Sequence, residues 1–168
     1  MVKRRILEEI FLSKKGIFYL NNQTEIENYW KQFVKEKGIS TTNYSAWSFG
    51  DSKQMADELA ELVVKGDKTA TTSAYDLYEI GEKIPEVGEY NMILDGNHHP
   101  ICITQTKVAE IVPFNFVSAE HAYHEGEGDR TLSYWRKVHE DFFKREYADA
   151  NKTFSEDIPC LCEVFKVV

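Results

Sequence analysis

The spacing of apolar residues changes at Gly66, and this change limits the folds that the chain can adopt. Before Gly66, apolar residues recur three or four positions apart in two segments, as they do in amphipathic helices. After Gly66, stretches with a period of two predict strands at 69–78 and within 90–112. Asp95-Gly96 divides the second stretch and is a strong signal for a β-hairpin. The chain is therefore predicted to combine helices with a hairpin-based sheet.

Helices are predicted on both sides of this sheet-forming region. Thr24 and Glu27 form a capping-box pattern at the start of the first, and Asp51 is predicted to cap the second. The order favours an α+β fold with a small mixed barrel or curled sheet over a doubly wound parallel sheet. The predicted helices are 24–38, 51–66, 118–124 and 131–147, with a polar loop at 40–50 and a final strand at 160–168.

Charge and cysteine content disfavour several classes of protein. The 168 residues carry 20 basic and 28 acidic side chains, a net charge of −8, whereas proteins that hold long nucleic acid through its phosphates are usually basic. A small or weakly charged ligand is favoured instead. No window reaches the apolar length of a membrane span, and three cysteines without a paired framework disfavour secretion. We therefore expect a cytoplasmic protein with no membrane partner.

The segment KGDKTATTS, residues 65–73, is the first candidate for chemistry. Lys68 follows a helix end and Thr71 lies in the next strand. In a pure strand they would point to opposite faces, so they converge only if Lys68 lies in the turn. A desolvated lysine amine beside a threonine hydroxyl can then activate it as a nucleophile. The structural alternative is a lysine that solvates a helix end, followed by threonines that suit a strand.

The second candidate is the acidic segment, residues 121–129, which gathers five ionisable side chains. Carboxylates favour helix N-termini, and Asp129 or Thr131 can cap the helix that follows. The glycines indicate positive φ values or a close backbone approach, which a cap alone does not require. Calcium-loop spacing is absent and no motif completes a zinc set, so no metal or other cofactor is expected. The ionisable side chains are those of His121, His124, Glu125, Glu127 and Asp129.

Together, the two segments resemble a known family. The Gly-x-Lys-Thr-x-Thr pattern at 66–71 and the Glu-Gly-Glu-Gly-Asp run at 125–129 are similar to segments of ASCH-domain (activating signal cointegrator homology) proteins, in particular the bacterial stand-alone branch. The resemblance extends from Phe49 to Val168. It implies a PUA-like mixed β-barrel with flanking helices. Residues 1–45 are then expected to form an N-terminal helical extension packed on the barrel, and 46–168 the ASCH domain.

The resemblance also implies an activity. Some small members of the family hydrolyse the acetyl amide of N4-acetylcytidine with a threonine, a lysine and a glutamate, and others are linked to RNA cleavage or binding. Matched residue by residue, the lysine is Lys68 and the threonine nucleophile is Thr71. The glutamate of the small members follows a His-Ala pair by three residues, which gives Glu125 here. Because this chain adds GEGD at that point, Glu127 is the alternative.

These assignments give a mechanism and a set of binding residues. Lys68, with its pKa lowered by burial, would accept the proton of Thr71, whose oxygen would attack the acetyl carbonyl. Glu125 would carry a proton to the leaving amine, and backbone amides near Gly66 or the guanidinium of Arg130 would stabilise the oxyanion. Two loop aromatics, expected to be exposed, would stack on the pyrimidine. The predicted substrate-binding residues are Trp47, Phe49, Thr69, Glu127, Asp129 and Arg130.

Two other functions stay open from the sequence. A non-catalytic RNA-binding module would need a basic groove despite the net charge. A metal-assisted nuclease of RNA would use Glu125, Glu127 and Asp129. The leading hypothesis remains an amidohydrolase whose partner is a small nucleoside or an RNA-derived substrate, with no cofactor.

Overall fold

A curled sheet flanked by helices forms the frame of the protein. The computed structural model describes residues 3–5, 14–41 and 43–168, with side chains from residue 22 onward, so the predicted extension at 1–45 lies partly outside the described residues. The helices are α1 (Lys14–Lys37), α2 (Lys53–Lys65), α3 (Ala119–Glu125) and α4 (Leu132–Asp149). The strands are β1 (Lys3–Arg5), β2 (Ser45–Phe49), β3 (Ala70–Ala74), β4 (Tyr90–Leu94), β5 (Pro100–Pro113) and β6 (Pro159–Val167).

The sheet is mixed, and its strand order confirms the predicted α+β class. The order is β1-β2-β4-β5-β6-β3, in which β2 and β4 are parallel and all other pairs are antiparallel. The hairpin at Asp95-Gly96 joins β4 to β5, as predicted. The last strand returns to lie between β5 and β3. This arrangement is a curled half-barrel.

The long strand β5 causes much of the curl. Its first half pairs with β4 and its second half with β6, so it belongs to both halves of the sheet. The register shifts between Ile93 and Leu94 on one side and between Thr106 and Val108 on the other. Such bulges bend a strand and increase its local twist. The bend gives the sheet a concave and a convex face.

Strand alternation divides the apolar side chains between two clusters. Ile93 and Cys102 join the larger cluster, which also contains buried residues of α2, α3 and α4. The residues next to them along β4 and β5 point the other way and pack against α1. The smaller cluster contains Ile26, Trp30 and Phe33 of α1 with Met92, Leu94 and Ile103 of the sheet.

Two features of the N-terminal half differ from the prediction. The first helix begins at Lys14 rather than Thr24, so the capping-box pattern lies inside a helix, where the same residues are also tolerated. The second helix is capped by Ser52 rather than Asp51, because the Ser52 hydroxyl accepts a hydrogen bond from the Met55 amide. Cap assignments one residue apart cannot be separated when both side chains are good caps.

The expected exposure of Trp47 and Phe49 is wrong. Both lie in β2, a strand that was predicted as a polar loop, and each is only 1% exposed. Because they are two residues apart they share the inward face, where their rings meet edge to face at 4.6 Å. The Trp47 indole nitrogen donates to Asn91 Oδ1 at 3.0 Å. Because polar residues surround this short strand, the alternation of its apolar residues is not recognisable in the sequence.

Cys160 and Cys162 are buried free thiols. None of the helices in the described ranges is long and apolar enough to cross a membrane.

Candidate functional site

Lys68 lies in the short connection between α2 and β3. Gly66 ends α2 with a positive φ of 79°, and the amides of Asp67 and Lys68 both donate to the Leu62 carbonyl. Lys68 therefore precedes the strand and is not bound by its alternation. Lys68 thus lies in the turn, which is the condition that the sequence set for Lys68 and Thr71 to serve one site.

The Lys68 ammonium is enclosed by the acidic segment. It donates to Glu125 Oε2 at 3.1 Å, to the Glu125 carbonyl at 3.2 Å and to Glu127 Oε1 at 2.8 Å. The side chains of Lys68 and Glu125 are 0% exposed, and that of Glu127 is 11% exposed. The two candidate segments thus meet, and both glutamates reach the lysine.

The expected lowering of the Lys68 pKa is wrong. Burial alone would lower it, but the negative charges of Glu127 and Glu125 outweigh burial, and the pKa of Lys68 is raised above its ordinary value. Lys68 is therefore an ammonium in the free protein. It is suited to stabilise negative charge or to give a proton, and not to take one from a hydroxyl.

The Glu125 carboxylate is held by several donors at once. Its Oε1 accepts from the Thr72 hydroxyl at 2.6 Å and from the Trp135 indole nitrogen at 2.8 Å. The Nε2 atoms of His121 and His139 lie 3.4 and 3.5 Å from the same oxygen. With Lys68 on Oε2, these contacts fix both the position and the charge of the carboxylate.

These contacts and burial shift the pKa values of Glu125 and of the two histidines beside it. Burial would raise the pKa of Glu125, but the charge of Lys68 and the hydrogen bond from His121 hold it well below its ordinary value. Burial would likewise lower the pKa of His121, yet hydrogen bonds to Cys162 and Glu125 raise it to about 9. Burial prevails at His139, whose pKa is lowered. Neutral His139 packs flat against Trp135, with ring centroids 4.2 Å apart.

A close backbone approach joins the acidic segment to the 66–69 connection. Gly126 ends α3 with a φ of 75°, and a Cβ there would lie 2.3 Å from the Asp67 carbonyl oxygen. The Thr69 amide donates to the His124 carbonyl at 2.8 Å. The glycine in the acidic segment is thus required by contact as well as by φ.

Other predicted binding residues lie at the edge of this contact. The Thr69 hydroxyl lies 3.0 Å from His124 Nδ1. The Arg130 guanidinium forms an ion pair with Asp67 at 2.7 Å and lies 5.3 Å from the centre of the Tyr123 ring. These contacts help to hold the two segments together. A role of Thr69 and Arg130 in binding substrate stays a prediction.

Asp129 is turned toward the start of α4. Its Oδ1 accepts from the amide and the hydroxyl of Thr131, whose own hydroxyl caps α4. Glu125 and Glu127 are engaged by Lys68 instead. Within the part of the chain that the structure describes, no three His, Cys, Asp or Glu side chains group as metal ligands do.

Thr71 lies on the other face of β3 from the Glu125 contact. The neighbouring Thr72 points toward α3, and strand alternation directs Thr71 to the opposite face. Thr71 is 1% exposed, and its partner across the sheet is Glu163 of β6. The Lys68 Nζ also lies 5.2 Å from the centre of the Phe49 ring.

Four residues of the site were not identified from the sequence. Thr72 lies in β3, and Trp135 and His139 lie on the buried side of α4, where residues of these types are ordinary in a core. Glu163 lies in an apolar strand, between buried Cys162 and half-buried Val164. A charged residue at such a position is the one signal that was available.

Comparisons with known proteins identify the family to which the chain belongs. The family model described as ASCH domain matches residues 45–168. The chain belongs to the ASCH-domain family. No curated protein matches it.

Two solved structures of ASCH-type proteins are similar over most of their length. A protein of Enterococcus faecalis V583, assigned to the DUF984 family, is 38% identical with a TM-score of 0.79, covering 87% of this chain and 94% of that one. An ASCH domain from Lactobacillus crispatus JV V101 is 33% identical with a TM-score of 0.76, covering 87% and 92%. The ASCH fold implied by the sequence resemblance is confirmed.

We predict that Gly126→Ala destabilises the protein more than Gly66→Ala. Both glycines end a helix with a φ between 75° and 79°, so both variants incur about 1 kcal/mol of backbone strain. A Cβ at Gly66 meets nothing within 4 Å, whereas one at Gly126 meets the Asp67 carbonyl. Urea unfolding of both variants measures the difference. Equal losses of unfolding free energy would show that the close approach does not contribute.

We also predict a loss of stability in acid that depends on Glu125. The pKa of Glu125 is lower in the folded than in the unfolded state, where it is about 4.3. The carboxylate therefore contributes stability above that pH and loses it as pH falls through the folded pKa.

The test is urea unfolding of wild type and Glu125→Gln between pH 7 and pH 3. The variant should be less stable by about 3 kcal/mol at pH 7, because a buried ion pair loses a partner, and its stability should fall less steeply in acid. Glu140→Gln is the matched control, since Glu140 pairs with Lys144 on the exposed side of α4. Parallel pH curves for wild type and Glu125→Gln would contradict the prediction.

Proposed function

We propose that the protein is an amidohydrolase that acts on an acylated pyrimidine nucleoside such as N4-acetylcytidine. The observation that carries the proposal is the fully buried Lys68 ammonium between Glu125 and Glu127, three residues before Thr71. Taking three charges out of water is costly, and strongly perturbed, buried charge clusters concentrate at functional sites. The family resemblance assigns the same lysine, threonine and glutamate to amide hydrolysis.

In the proposed reaction, the Thr71 hydroxyl gives up its proton, and its oxygen attacks the acetyl carbonyl carbon and forms an acetyl-threonine ester. The Lys68 ammonium stabilises the charge that develops on the carbonyl oxygen. It also gives a proton to the exocyclic nitrogen, so that cytidine leaves as a neutral amine. Water then hydrolyses the ester and releases acetate.

The glutamates have different parts in this proposal. Glu125 is fixed by Thr72, Trp135 and Lys68, so it holds the ammonium in place. Glu127 contacts the ammonium from the more exposed side, where it is suited to return a proton to Lys68 after each turnover. The proposal therefore separates positioning by Glu125 from proton exchange by Glu127.

The charge balance of the site supports an uncharged substrate. The two carboxylates offset the positive charges of Lys68 and His121, and Arg130 is paired with Asp67. No free cation among these groups is available to a phosphate. A nucleoside with a neutral amide fits these surroundings better than an RNA strand.

The test is the release of cytidine from N4-acetylcytidine by purified protein, followed by chromatography. Thr71→Val and Lys68→Met should each lower kcat/KM by at least about 100-fold, because one removes the nucleophile and the other the charge that stabilises the oxyanion. Thr71→Ser should keep part of the rate. Thr153→Val, an exposed threonine far along the chain, is the matched control and should leave the rate unchanged.

Full rates in both Thr71→Val and Lys68→Met would refute the mechanism. No release of cytidine by the wild type, together with salt-dependent binding of RNA, would favour the non-catalytic RNA-binding alternative instead.

A further inference from the structure

The geometry points to Glu163 as the residue that takes the proton of Thr71. This inference rests on the proposed function and supplies a step that the Lys68, Glu125 and Glu127 contacts leave unfilled. A threonine hydroxyl is a weak nucleophile and needs a proton acceptor within reach.

The groups around Lys68 are poorly placed for that step. The Lys68 amine already carries its proton and donates to two carboxylates. Glu125 accepts from Thr72 and Trp135 on one oxygen and from Lys68 on the other. The Thr72 hydroxyl also occupies the face of β3 that looks toward Glu125. An acceptor for Thr71 must therefore come from the opposite face.

Glu163 occupies the corresponding position on that face. It is paired directly with Thr71 in the antiparallel register of β3 and β6. Side chains of directly opposed residues share a face, with Cβ atoms about 4.5–5.5 Å apart, a span that a glutamate side chain covers easily. On its other side, Glu163 is paired with Ala109 of β5, whose methyl group offers no hydroxyl.

Burial and surroundings agree with a chemical role for Glu163. Its side chain is 1% exposed, as is Thr71, although carboxylates are rarely buried so deeply. Phe165 lies on the same face of β6 as Glu163, and the centre of its ring lies 6.4 Å from the centre of the Phe49 ring. The Lys68 ammonium packs against that Phe49 ring. The Phe49 and Phe165 rings thus connect the Lys68 ammonium with the side of the sheet that carries Glu163 and Thr71.

The proposed step balances as follows. The Thr71 O–H bond breaks, its proton passes to the Glu163 carboxylate, and the oxygen bonds to the acetyl carbon. The carbonyl electron pair moves to oxygen and returns as the C–N bond breaks, while the nitrogen takes a proton from Lys68. The proton gained by Glu163 equals the one lost by Lys68. Water, the second substrate of any hydrolase, then attacks the ester carbonyl carbon and gives one proton, through Glu127, to Lys68. The bond to the Thr71 oxygen breaks, that oxygen takes back the proton from Glu163, and acetic acid leaves, so that every group regains its starting state.

The experiment is steady-state hydrolysis of N4-acetylcytidine by the full chain and its Glu163 variants. Glu163→Gln should lower kcat by at least about 100-fold and leave KM essentially unchanged, because the base is lost and the binding surface is kept. Glu163→Ala should be equally slow but regain part of its rate with added formate, which can enter the space left by the side chain. Glu163→Gln leaves no such space and should not respond.

Glu110→Gln is the matched control, since Glu110 is an exposed glutamate on the adjacent strand, next to the position paired with Glu163. If Glu163→Gln does not fold, Glu163→Asp keeps the charge but withdraws it by one methylene, and its kcat should fall at least tenfold. A wild-type kcat in a folded Glu163→Gln or Glu163→Asp would overturn the inference, as would the lack of any formate response in Glu163→Ala.

The two proposals fail separately. Inactive wild type would remove the proposed amidohydrolase, and this inference with it. Active wild type that depends on Thr71 but not on Glu163 would leave the amidohydrolase intact and remove the inference alone.

Discussion

The buried ion cluster of Lys68, Glu125 and Glu127 is the interaction on which the other features of the site depend. An ammonium that is withdrawn from water persists only if nearby negative charge compensates for its lost hydration. Here one carboxylate is fully buried and the second is nearly so, and both come from one short segment. The same compensation raises the pKa of Lys68 and lowers that of Glu125. The cluster therefore decides which groups can donate protons and which cannot.

The fold delivers these charges to one place through two chain reversals. The connection after α2 presents Lys68 before β3 begins, and the end of α3 presents Glu125 and Glu127 to it. Gly126 lets the two backbones approach more closely than any side chain would permit. Behind the carboxylate, Trp135 of α4 fixes its orientation. The helices that flank the sheet thus serve as walls of the site as well as cover for the core.

The sequence indicated the fold and half of the site because those features are local. Turn residues at Asp95-Gly96 and the change of period at Gly66 were sufficient to predict the hairpin and the order of the later elements. The pairing of Lys68 with the acidic segment came from resemblance, since nothing local joins residues so far apart. The short strand β2 was missed because five residues with polar neighbours give too little periodicity.

The sign of the Lys68 pKa shift could not be derived from the sequence. It depends on whether burial or neighbouring charge prevails, and only the distances to Glu125 and Glu127 decide that. Glu163 was missed for a related reason, because its relation to Thr71 exists only in the strand register.

The most direct test of this account is the ionisation of Lys68 itself. In protein labelled with ¹⁵N at lysine, the side-chain Nζ resonance of Lys68 can be assigned by its absence in Lys68→Arg and followed as pH is raised. The account predicts that this nitrogen keeps its proton to a higher pH than an ordinary lysine, whose pKa is about 10.4. Deprotonation of Lys68 below that pH would contradict the account, because the carboxylates would then not be compensating for its burial.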